Sequence, residues 1–119
     1  MSDMSRQTPE QFEKQREEGQ AALNSHDHQG IKRFLRLDTA AYEDGALSGK
    51  SKELLGLIAS MVLRCNDCID YHLGQCVKAG YSRQELMDAM NVALVVGGSI
   101  VIPHLRHAAL TLEDLLKQK

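Results

Sequence analysis

SGKSKELLGLIASMVLRCNDCIDYHLGQCVKAG, residues 48–80, decides the fold. Ser48 or Ser51 can cap a helix that holds Leu54, Leu55, Leu57, Ile58, Met61 and Val62. That apolar arc is wide, which predicts a deeply buried helix. The pattern hesitates from Arg64 to Asp67. Asn66 or Asp67 can restart a helix that runs to Ala79, with Gly80 as its stop. The stretch thus reads as two helices joined by a short break.

The flanks carry the same punctuation. Upstream, Thr8-Pro9-Glu10-Gln11 supplies an N-cap, a proline in the first turn and a capping-box glutamine. A mostly polar helix then runs to about Leu23, and Asn24 to His28 form a break. A second helix carries Ile31, Phe34, Leu35 and Ala41 on one side and ends near Glu43-Asp44-Gly45. Downstream, Ser82-Arg83-Gln84-Glu85 is another capping box, for a helix to about Val96. Gly97-Gly98 breaks it, and Ser99 can cap a last helix with Pro103 near its first turn. Val92–Val96 and Ile100–Ile102 around the glycines also fit a β-hairpin. The capping box and the Ala- and Met-rich sequence before them favour helix. The expectation is an all-α chain, a single domain over 1–119 with about five to six helices.

Composition narrows the function. A net charge of −2 leaves no basic footprint for nucleic acid. The apolar run Val92–Ile102 is too short to cross a bilayer. Residues 1–25 are polar and charged, without the apolar centre of a secretory signal. The expected location is the cytoplasm, where stable disulfides are rare. Three cysteines there, two of them in a C-x-x-C, suggest chemistry or metal rather than a structural bridge.

Cys65, Cys68 and His72 stand at offsets of three, four and seven, which puts them on one helical face. The thiols fall at a helix N-terminus, whose free N–H groups and dipole favour a thiolate. Two thiols in such a turn can close a disulfide. The imidazole one turn on can accept or return a proton. Glu53, on the preceding helix, is either a first-turn carboxylate favoured by the helix dipole or a group folded over the next helix to orient thiol and imidazole. Cys76 extends the stripe, but eleven residues of helix span about 16 Å, too far for four ligands on one zinc ion. Cys76 reads as a small buried hydrophobe. A three-ligand site from Cys65, Cys68 and His72 stays open. His104 and His107 read as a solvated or interface pair, and His26 and His28 as turn residues without a chemical role.

The spacing Glu53, eleven residues, Cys65-x-x-Cys68, three residues, His72 resembles the alkylhydroperoxidase D-like branch of the carboxymuconolactone decarboxylase family. Gly45-Ala46-Leu47-Ser48, Lys52-Glu53-Leu54, Arg64 to His72, Ala79-Gly80 and Gly97-Gly98 share in it, over roughly residues 30 to 105. The resemblance implies an all-helical homo-oligomer, commonly a trimer or hexamer, with disulfide-cycling peroxidase or disulfide-reductase chemistry. It implies that Cys68 attacks peroxide, that Cys65 resolves the product, and that Glu53 and His72 relay protons. Asp67 stands where the family's peroxidase has a histidine.

The leading expectation is an oxidoreductase without a bound cofactor or metal. Its substrate is a hydroperoxide or small disulfide, and an external dithiol of lipoyl or thioredoxin type re-reduces the pair. A second reading is a lyase that decarboxylates a small carboxylate with His72 and Glu53. A third is a non-catalytic helical oligomer that holds a metal or a partner protein on the cysteine face. Apolar surface on the helices at 51–64 and 83–97 predicts oligomerisation.

Overall fold

A computed structural model describes residues 6–118. The expected single domain over 1–119 includes residues 1–5 and 119, which lie outside that range. The described chain is all-helical. It runs α1 (Pro9–Ser25), α2 (Gln29–Ala41), α3 (Gly49–Val62), α4 (Asn66–Lys78), α5 (Arg83–Gly97), a 3₁₀ turn (Ser99–Val101) and α6 (Ile102–Lys117). None of these helices is long and apolar enough to cross a membrane.

The core lies among α3, α4, α5 and α6. Leu57 and Met61 of α3 meet Ile69, Leu73 and Cys76 of α4, all without solvent contact. Leu86, Met90 and Ala93 of α5 complete it with Val101, Ala108 and Leu112. Each fully buried Leu or Met stabilises the fold by about 1.5–3 kcal/mol. The α3 helix is less enclosed than its arc predicts, because Leu55 stays exposed. Neither α1 nor α2 contributes a buried residue. Arg6 binds Asp114 of α6, and Arg16 of α1 lies 4.1 Å over the Tyr71 ring of α4.

The capping chemistry accounts for most helix starts. Thr8–Gln11 and Ser82–Glu85 both form reciprocal capping boxes. Ser48, not Ser51, caps α3. The last helix departs from expectation. Ser99 opens the 3₁₀ turn instead of capping, and α6 begins at Ile102 without a side-chain cap. Gly98, at φ +84°, makes the sharp turn that a side chain would strain. This also removes the hairpin alternative, since Val92–Val96 are helical. At the other end, α2 stops at Ala41, before the expected Glu43–Gly45.

One motif ends both α3 and α4. The Cys65 N–H bonds the Ser60 carbonyl and the Arg64 N–H that of Met61. After α4, the Tyr81 and Gly80 N–H groups bond Cys76 and Val77 in the same way. These are Schellman ends, whose turning residue needs positive φ. Gly80 holds that place after α4, whereas Arg64 adopts φ +61° after α3. The tight stop delivers Cys65 from the end of one helix to the cap of the next.

Candidate active site

Cys65 is the N-cap of α4 and Cys68 lies in its first turn. Their free thiols are 2.7 Å apart, and Cys68 is exposed. The two thiols are hydrogen-bonded to each other, and the Cys65 sulfur also accepts the Cys68 backbone N–H at 3.3 Å. The hydrogen bond with Cys65 is the largest cause that pushes the Cys68 thiol up to about 11. Partial burial and the charges of Cys65 and Asp67 push the same way, against a backbone hydrogen bond that lowers it. Cys68 therefore needs a base before it can attack anything near neutral pH.

His72 follows one turn along α4. Its Nδ1 lies 2.8 Å from Glu53 Oε1 of α3, and both side chains are largely buried. Glu53 thus reaches the imidazole. Among the described residues no hydrogen bond joins either ring nitrogen to a sulfur. The second nitrogen, Nε2, instead faces the Tyr42 hydroxyl at 3.4 Å.

The remaining candidates separate from this group. Cys76 is fully buried, and burial, with the charge of Glu53 adding, pushes its thiol up to about 12. Among the described residues no three His, Cys, Asp or Glu side chains are grouped to hold a metal. His104 and His107 are not a solvated pair. His104 Nδ1 lies 2.8 Å from Asn66 Oδ1 and His107 Nε2 lies 2.8 Å from Asp70 Oδ1, so both brace α6 against α4. His28 caps α2 by accepting the Ile31 N–H.

Two parts of the site escape sequence reasoning. Tyr42 lies thirty residues from His72 and belongs to no local spacing. Gly56 is legible in principle, because a glycine inside a leucine-rich helix is costly without a reason. The reason is His72: a Cβ on Gly56 would sit 2.7 Å from the imidazole ring. The missing side chain lets the ring lie against α3.

The pattern of the carboxymuconolactone decarboxylase family matches residues 30–111. The chain belongs to that family. It is also similar to a Thermotoga maritima protein in two crystal structures. One is 51% identical with a TM-score of 0.87, covering 90% of this chain and 94% of the other. The second, 52% identical with a TM-score of 0.78, covers 84% and 88%. That protein is described as a carboxymuconolactone decarboxylase family member for which a part in the antioxidative response has been suggested. A Legionella pneumophila family member is 26% identical with a TM-score of 0.82, over 90% and 96% of the two chains. A Paracoccus denitrificans protein from the cox locus is 27% identical over 82 residues, 69% of this chain and 74% of that one.

Proposed function

We propose that this family member is a thiol–disulfide oxidoreductase that reduces hydroperoxides or small disulfides through Cys65 and Cys68. The observation that carries the reading is the 2.7 Å separation of two free thiols at the mouth of α4. A disulfide between them needs only a small closure. The His72–Glu53 pair one turn away is an acid–base group, and the suggested antioxidative role of the Thermotoga protein agrees.

The attacking thiol in this reading is that of Cys68, the more exposed residue of the pair. Its thiolate attacks the distal peroxide oxygen. An S–O bond forms, the O–O bond breaks, and the alkoxide leaves with a proton as an alcohol. Cys65 then displaces hydroxide, which leaves as water, and the disulfide closes. The two thiols give up two electrons, and an external dithiol of lipoyl or thioredoxin type restores them. The cytoplasm, where such reductants keep thiols reduced, is the proposed setting. We also place the active form as a homo-oligomer, a trimer or hexamer, because Phe34, Leu37, Leu63, Val95 and Val96 are all more than 60% exposed. Sedimentation at micromolar concentration tests this, and a stable monomer would contradict it.

The chemical test is a thiol titration in denaturant before and after one equivalent of peroxide. The expected count falls from three thiols to one, because Cys76 is sealed in the core. Cys65→Ser and Cys68→Ser each prevent the loss of the pair. A parent protein that keeps all three thiols overturns the proposal. An activity that survives both serine variants moves the chemistry to the lyase reading.

A further inference from the structure

His72 has no nitrogen left for a sulfur. Glu53 takes Nδ1, and the Tyr42 hydroxyl faces Nε2 with the two ring centroids 5.3 Å apart. Tyr42 is the C-cap residue of α2, a helix that gives nothing to the core. Its position is nevertheless built. The Gly49 N–H donates to Asp44 Oδ1 at 2.6 Å, and Lys52 Nζ donates to the Glu43 carbonyl at 2.6 Å. A Cβ on Gly49 would meet the Tyr42 carbonyl at 2.8 Å, so glycine there lets the turn close on the start of α3.

We propose that Tyr42 is a positioning residue of the proton path, fixing the tautomer of His72 and keeping its Nε2 as the acceptor. The proposal rests on the thiol reading above. The Tyr42 phenol stays protonated, because burial and then the charges of Asp38 and Glu53 raise it, with smaller contributions from Tyr71 and Cys68. It is therefore a donor, and Nε2 accepts. Nδ1 then carries the proton donated to the Glu53 carboxylate. With Nδ1 committed to Glu53, Nε2 is the basic nitrogen of the ring, and Glu53 holds the imidazolium when it takes a proton. That proton then returns to the departing alkoxide.

The groups that face this path come from four helices. They are Asp38 and Tyr42 at α2, Glu53 on α3, and Cys68, Tyr71 and His72 on α4, with Arg16 of α1 stacked over Tyr71. The α1–α2 arm thus belongs to the site although it stays out of the core.

Tyr42→Phe removes one hydroxyl and tests the idea in two ways. In ¹⁵N spectra the His72 Nε2 resonance should move, because it loses its donor. The single-turnover rate with peroxide should fall about tenfold at pH 7, and its pH profile should shift upward. A purely structural role would lower the rate without moving the profile. If the parent loses two thiols but Tyr42→Phe keeps its rate, profile and Nε2 resonance, the positioning role is wrong and the thiol reading stands. If the parent loses no thiols, both fall.

Discussion

The helix α4 takes part in two histidine–carboxylate pairs of equal length, and they differ in what the histidine can do next. Toward α3, His72 meets Glu53 at 2.8 Å. Toward α6, Asp70 meets His107 at 2.8 Å and also accepts the Thr111 hydroxyl at 3.1 Å. The second pair is a clamp: its carboxylate oxygen serves two donors and ties two core helices together. The first keeps an outlet, because its second nitrogen, Nε2, faces the Tyr42 hydroxyl. A histidine beside a carboxylate is thus not in itself a proton relay. The second ring nitrogen decides the role.

The largest expected effect breaks the symmetry of the pairs. His72→Ala should slow peroxide-driven thiol loss by about a hundredfold or more at pH 7, the usual size of a general acid–base contribution. His107→Ala should stay within about twofold. Stopped-flow thiol consumption compares them, and equal losses would erase the distinction. Stability should rank the other way. Asp70→Ala should cost about 1–3 kcal/mol in urea unfolding, since its two donors lose their acceptor. Glu53→Gln retains an acceptor for Nδ1 and should cost less than about 1 kcal/mol.

A pH test sharpens the outlet side. Cys65→Ala removes the hydrogen-bond partner that raises the Cys68 thiol, so that thiol should fall from about 11 toward its ordinary 9.0. A lower value means more thiolate at a given pH, about a hundredfold more at pH 8 for a two-unit fall. Weaker nucleophilicity returns about tenfold of that, leaving alkylation about tenfold faster than in the parent. An unchanged iodoacetamide rate would show that Cys65 does not govern the proton. The smallest effect uses two mid-helix glycines. A Cβ on Gly74 meets nothing within 4 Å, so Gly74→Ala should stabilise by about 0.5–1 kcal/mol. Gly56→Ala should show no such gain and should slow the thiol reaction, because its Cβ displaces His72.

Local chemistry made much of this legible. Capping boxes, glycine stops and the apolar arc of residues 54–62 mark helix boundaries to within a few residues, because those signals act through neighbours in the chain. The same locality puts Cys65, Cys68 and His72 on one face. It fails for His104 and His107, whose partners Asn66 and Asp70 are 38 and 37 residues away. It fails for Ser99 as well, where the turn required by Gly98 prevents a cap.

The sequence alone determined the all-helical architecture, the helix that carries the thiols and their order along it. Periodicity and capping depend only on residues within a turn or two. Tertiary packing alone decided that Glu53 meets His72 across a gap left by Gly56, that Tyr42 closes the far side, and that Asp70 is engaged with α6. Each of those contacts joins residues 19 to 41 positions apart, and only the crossing of helices sets which polar atoms meet.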